Sequence, residues 1–154
     1  MVLYSWDIEE LGETSNEEVM MIKTKRQRTD RQVTEDRLDS IYSEAVRRWA
    51  MRHAKGCQYC GKPKLTYHGL EAAHLHSRGR RTVRWDLRNG AGVCPVPCHR
   101  YLDQHPKEKH EFFKKLLGED EYWKLFQLAN MTTKSAPVDY KKIEANLREL
   151  SKEV

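Results

Sequence analysis

Apolar positions along the chain fall into helical spacing over several separate stretches. Leu38, Ile41, Tyr42, Ala45 and Trp49 recur three or four residues apart, and this single stripe predicts a helix over 34–53. Thr34 is its expected cap, with Glu35 and Asp36 in a first turn that favours negative charge. Gly56 is expected to end it and to deliver the chain to a cysteine pair. Further on, Pro106 suits the first turn of a helix whose buried face is Phe112, Phe113, Leu116 and Leu117, with Gly118 at its end. Glu119 to Asn130 reads as another helix, led by three acids and carrying Tyr122, Trp123, Leu125, Phe126 and Leu128. After a break over 131–137, Asp139 is set to cap a last helix bearing Ile143, Leu147 and Leu150.

Between these helices the pattern shortens. Residues 64–68 and 70–76 read as extended pieces, 77–88 as a polar loop and 90–93 as a second strand. A helix begins at Pro97 or Cys98 and runs to about Gln104. The expected fold class is α+β, a core over 57–105 surrounded by the helix at 34–53 and helices over 106–154. Residues 1–29 show no sustained periodicity and read as a flexible charged arm preceding a single domain over 30–154. The chain has neither an internal repeat nor a low-complexity tract.

Composition narrows the class. The chain has 154 residues, a third of them charged, so the core is small and suits a metal or disulfide staple. Neither a membrane-spanning apolar run nor an N-terminal signal pattern is visible, and the expectation is a cytoplasmic protein without membrane association. Net charge is +5, but its distribution says more. Residues 1–22 hold six acids and no Lys or Arg, whereas 53–105 hold nine Lys/Arg against three Asp/Glu. The basic excess lies over the segment richest in cysteine and histidine, which points to a polyanion such as DNA as partner; ordinary solvation is the plainer alternative.

All four cysteines lie in that segment, as Cys57-x-x-Cys60 and Cys94-x-x-x-Cys98. Two close-set pairs a few dozen residues apart fit a tetrahedral thiolate zinc site, and a reducing compartment favours zinc over disulfides. Gly56 to Lys62 also imitates a phosphate-binding G-x-x-x-x-G-K, but Pro63 stands where Ser or Thr is required. The cysteines account for the segment better. His74, His76, Asn89, His99 and Asp103 remain as a second group. Phosphodiester hydrolysis needs a base near neutral pH and a metal with open positions, and these residue types supply both.

Leu70-Glu71-Ala72-Ala73-His74, then Asn89, then Cys94 to Cys98 with His99 directly behind, resembles the HNH endonucleases, most closely small nucleases of phage and prophage type. The resemblance covers about 57–106. It implies a ββα-metal fold with a four-cysteine structural zinc, and metal-dependent DNA cleavage leaving a 5′-phosphate and a 3′-hydroxyl. In that family the residue at His74 is the general base, that at Asn89 orients it, and that at His99 binds a catalytic ion such as Mg²⁺ or Mn²⁺.

Two positions depart from the pattern. The family has Asp or His before the base as a further ligand; here it is Ala73. His76, expected on the same side of an extended strand as His74, and Asp103, one helical turn after His99, are the candidate replacements. The second cysteine pair is one residue longer than usual. Arg78, Arg80, Arg81, Arg84 and Arg88 are expected to bind DNA backbone, and Arg47, Arg48 and Arg52 either answer a helix end or face phosphates. Trp85 is a packing anchor or a stacking platform, and Asn89 orients the base or turns the chain with Gly90. A non-catalytic zinc-finger DNA-binding module is the alternative function. A zinc deaminase is excluded, since His76 occupies the place of its glutamate.

Overall fold

The structure, a computed structural model, describes residues 27–152. Its described residues form an α+β fold of five α-helices and a two-stranded antiparallel sheet. In chain order these are α1 (Asp30–Ala54), β1 (Glu71–His74), β2 (Gly90–Val93), α2 (Arg100–Gln104), α3 (Pro106–Leu117), α4 (Glu119–Ala129) and α5 (Tyr140–Lys152). No helix among the described residues is long and apolar enough to cross a membrane.

Helix α1 begins a turn earlier than its apolar stripe suggests. Thr29, not Thr34, is the cap: its hydroxyl accepts the Gln32 N–H at 3.3 Å, and the Gln32 side chain accepts the Thr29 N–H at 2.9 Å. This reciprocal capping box satisfies two backbone donors that have no partner inside the helix. The first buried apolar residue is Leu38, so periodicity alone misses the polar opening turns. Of the arm expected over 1–29, all but residues 27–29 lies outside the described residues. At the other end, left-handed Lys55 closes the helix, and Gly56 runs tight against Pro63. A Cβ at Gly56 would strike the Lys62 carbonyl.

The sheet pairs Glu71 with Val93, Ala72 with Gly92, Ala73 with Ala91 and His74 with Gly90. Residues 64–68 form no strand; the chain turns through a short 3₁₀ segment, Tyr67–Gly69, before β1. Strand β2 consists of Gly-Ala-Gly-Val, and its small residues let α1 lie directly on it. A Cβ at Gly92 would collide with the Ala50 methyl, and one at Gly90 would fall on the Tyr42 hydroxyl.

Apolar burial divides between two clusters. One joins the hairpin and the cysteines to α2, α3 and α4 through Leu70, Ala73, Val93, Leu102, Phe113 and Leu125. The other lies between α1 and α5, around Leu38, Tyr42, Val46, Trp85 and Leu147. Leu116, expected on a buried face, is exposed instead, as is Trp123 of α4.

A polar cluster ties the long β1–β2 connection to α1. Arg84 donates to Asp39 at 2.8 Å and to Glu35 at 3.1 Å, and Arg81 donates to Glu35 at 2.9 Å. The Trp85 indole N–H donates to Asp39 at 2.9 Å, which makes this ring a packing anchor. From α5, the Tyr140 hydroxyl donates to Glu35 at 2.9 Å. Burial pushes the Glu35 carboxyl up, but Tyr140 and the two guanidinium groups outweigh it and hold the carboxyl below its usual range.

Candidate metal centre and adjoining histidine site

The four cysteine sulfurs all lie within 4.8 Å of one another. The first pair sits on a turn after α1, where Cys57 N–H bonds the Lys62 carbonyl at 3.0 Å and Gly61 N–H bonds the Cys57 carbonyl at 2.9 Å. Gly61 has φ +74°, a conformation glycine adopts without steric cost. Gln58 fastens this turn to β2: its N–H bonds the Gly92 carbonyl at 2.9 Å, and its side-chain oxygen accepts the Gly92 N–H at 2.8 Å. The longer second pair is accommodated by a wide turn over Pro95–His99, in which His99 N–H reaches back five residues to the Cys94 carbonyl at 2.9 Å.

Geometry and electrostatics both fit a zinc ion. Four sulfurs at the Zn–S length of about 2.3 Å stand about 3.8 Å apart along each tetrahedral edge, and Cys60 Sγ lies 3.8 Å from Cys94 Sγ. A disulfide needs about 2.05 Å, and all four cysteines are free. Cys57 Sγ accepts the N–H groups of Cys60 at 3.4 Å and Cys94 at 3.2 Å. Burial pushes the Cys57 thiol up, but these donors and that of Tyr59 bring it down to about 7. Burial and the neighbouring sulfurs push Cys94 and Cys98 upward. Four clustered thiolates repel one another, and a bound divalent cation removes that penalty. The centre is a four-cysteine group built to hold a metal ion.

His74 and His99 lie on one side of the hairpin and line one open depression of about 300 Å³, together with Leu75, Ser77, Arg78, Asp103 and Lys109. His74 ends β1, and its ring packs on Tyr42 of α1 at 5.2 Å between centroids. Tyr42 is fixed in turn by donating to the Asp86 carbonyl at 3.1 Å. Burial and the charge of Arg78 push His74 down to about 4, so its ring is neutral at neutral pH. His99 directly follows the last cysteine, at the entry to α2. Its Nδ1 lies 2.6 Å from Glu71 Oε2 and its Nε2 lies 3.4 Å from Asp103 Oδ2. Lys109 of α3 donates to Asp103 at 2.7 Å and to the His74 carbonyl at 3.2 Å.

Asn89 is wholly buried and holds the end of the hairpin. Its side-chain oxygen accepts the His76 N–H at 2.7 Å, its amide donates to the His76 carbonyl at 3.0 Å, and its own carbonyl accepts the Leu75 N–H at 2.9 Å. It therefore acts on the chain just beyond His74, in addition to turning into Gly90.

Not every expected residue joins this site. β1 stops at His74, so the strand alternation expected to align His76 with it does not extend that far. The His76 ring packs instead against His110, at 6.1 Å, and Phe126, at 5.9 Å, and is not among the residues lining the depression. Its Nε2 is the one buried side-chain polar atom without a hydrogen-bond partner among the described residues.

The arginines also divide. Arg81 and Arg84 are held by Glu35 and Asp39, and Arg88 pairs with Asp86 at 2.7 Å and Glu121 at 2.9 Å. Only 12% of the Arg84 side chain is exposed, so it faces inward. Arg78 also lies 3.8 Å from Asp39 but is 66% exposed, and it and Arg80 remain at the surface. Arg47 and Arg48 lie over the Tyr67 ring at 5.1 and 4.3 Å, and Arg52 over Trp49 at 5.9 Å.

Sequence reasoning passed over Glu71 and Lys109. Glu71 lies three residues before His74 and contacts His99, 28 residues away, so its role is not visible from its neighbours. Lys109 belongs to a helix 35 residues from His74, and nothing local marks it. No protein-family model matches the chain, and no curated protein or solved structure matches it either.

Proposed function

We propose that the protein is a metal-dependent endonuclease of HNH type that hydrolyses DNA phosphodiesters, with β1, β2 and α2 as a ββα-metal core. The observation that carries this reading is that His74 and His99, from a strand and a helix entry, face one open depression with Asp103 beside them. His99 and Asp103 fit a hydrated ion such as Mg²⁺ or Mn²⁺, which commonly takes few protein ligands and leaves its other positions to water and phosphate. Such an ion supplies positive charge to the phosphate and to the departing oxygen.

The chain's own residues do the rest. His74, neutral and backed by Tyr42, takes the proton of an attacking water as its oxygen bonds phosphorus. The P–O3′ bond breaks, the 3′ oxygen gains a proton from solvent, and the products are a 5′-phosphate and a 3′-hydroxyl. A phosphate anion entering the depression raises the basicity of His74 from its depressed resting level. Glu71 on Nδ1 fixes the tautomer and orientation of His99, so that Nε2 faces Asp103. Arg78 and Arg80, both at the surface, supply positive charge to the DNA backbone.

Nicking of supercoiled plasmid, run across a series of divalent ions with and without EDTA, tests the reading. Cleavage that depends on the ion and on His74 supports it. The alternative, a zinc-stapled DNA-binding module, draws support from Ala73 and from the cysteine centre being the only group of three or more convergent metal-ligating side chains among the described residues. DNA binding with no cleavage under any ion selects that alternative.

A further inference from the structure

Lys109 occupies an unusual place for a lysine. Its side chain is only 15% exposed, so its stem is covered while its ammonium emerges in the floor of the histidine depression. There it contacts Asp103 at 2.7 Å and the carbonyl of His74 itself at 3.2 Å. Its partner Asp103 is 55% exposed, and a pair open to solvent on one side gains little from screening-limited attraction, so stability alone gives little reason to bring this head group to the depression.

An ammonium has three N–H donors. Two are engaged by site residues, which leaves one for whatever enters the depression. The charged side chains lining that depression are Arg78, Lys109 and Asp103, with Asp39 3.8 Å from Arg78 and Glu71 behind His99. Lys109 and Arg78 are the two cations that a phosphodiester entering the depression would meet. We infer that Lys109, with Arg78, forms the phosphate subsite of this centre, and that Lys109 is a catalytic residue donating to a non-bridging phosphate oxygen. This rests on the phosphodiesterase reading and adds the group that seats the substrate. Because Lys109 is anchored to the main chain of the base and to Asp103, a phosphate it holds is registered against both. Negative charge on the phosphoryl oxygens redistributes during attack, and a fixed cation at that point needs no reorganisation to meet it.

The test uses the full chain with its zinc, as wild type, Lys109→Met, Lys109→Gln and Lys109→Arg. Zinc content and circular dichroism establish that each is folded, and the glutamine variant serves if the methionine variant is not. Inorganic phosphate is titrated while the ring resonances of His74 and His99 are followed by NMR, and single-turnover cleavage of duplex DNA is measured in parallel. The expected result is that phosphate shifts both rings in wild type, that the neutral variants need far higher phosphate, and that their cleavage falls about 10²-fold, the scale of one lost oxyanion donor. Lys109→Arg should recover part of both. Neutral variants that bind phosphate as wild type does overturn the subsite, whatever their cleavage. If wild type cuts no DNA yet binds phosphate through Lys109, the nuclease reading fails and the subsite stands.

Discussion

The carboxamide of Asn89 bonds both backbone polar groups of His76, accepting at 2.7 Å and donating at 3.0 Å, in a position closed to solvent. It prolongs the hairpin by one side-chain rung and fixes where the chain leaves His74. Asn89→Ala strands two backbone groups at about 1–3 kcal/mol for each that stays buried. With both groups left unpaired, a loss on the order of 2–6 kcal/mol is expected in denaturant titration. Asn89→Asp keeps an acceptor but not the donor and should lie between. An alanine variant as stable as wild type would mean that the clamp is dispensable.

Zinc should be present at one ion per chain, with a first shell of four sulfurs at about 2.3 Å by X-ray absorption. Structural zinc contributes about 10–16 kcal/mol in small fingers, as much as or more than the 5–15 kcal/mol that whole domains typically retain. Chelation should therefore abolish the cooperative melt, and Cys57→Ser should do the same without chelator. Protein that melts unchanged after complete zinc removal contradicts the assignment.

Acid sensitivity should trace in part to Glu35. Its folded pKa lies below its unfolded value, about 4.3, so the unfolded state binds the proton more readily. Glu35 therefore contributes stability above pH ~4.3, and this contribution is lost as pH falls through the depressed folded value. Glu35→Gln should be less stable than wild type at neutral pH, with the gap narrowing as acid is added. A gap that stays constant from pH 7 to pH 3 rules the linkage out.

The loop arginines should separate by role. Arg84→Ala leaves Glu35 and Asp39 without their shared partner, and breaking a buried pair costs about 3–5 kcal/mol. Arg78→Ala and Arg80→Ala should leave the melt unchanged and, on the nuclease reading, lower DNA affinity while flattening its salt dependence. Thermal melts and fluorescence anisotropy at several salt concentrations distinguish the two outcomes. Stability loss from Arg78→Ala, or none from Arg84→Ala, reverses the assignment.

His74→Ala should retain fold and zinc yet lose on the order of 10²–10⁴-fold in cleavage, the usual contribution of a general base. His99→Ala should also lose cleavage, with partial recovery in excess Mn²⁺. His76→Ala, whose ring faces His110 and Phe126, should change cleavage little. Equal losses at His76 and His99, measured by plasmid nicking, would return His76 to the metal site.

Much of the framework was legible in the sequence because its signals are local. Helical periodicity, Pro106 and Gly118 give the later helices, Asp139 caps α5 through the Lys142 N–H at 3.1 Å, and cysteine spacing gives the sulfur cluster. What the sequence concealed is set by partners far along the chain. The side on which His76 falls depends on where β1 stops, and that depends on Asn89. The arginines of 78–88 look alike in sequence, but Glu35, Asp39 and Glu121 decide which of them turn inward. Lys109 reaches the depression from α3, 35 residues along the chain from the His74 carbonyl it bonds.

The order of manufacture has a bearing on this architecture. The sulfur cluster joins a pair just after α1 to a pair just after β2, so it cannot close until Cys98 has been synthesised. The strand that covers α1 arrives with that second pair, and α5, which covers another part of it, comes last. Leu38, Tyr42 and Val46 of the nascent chain thus stay uncovered until these later elements have been made, a form of exposure that favours aggregation.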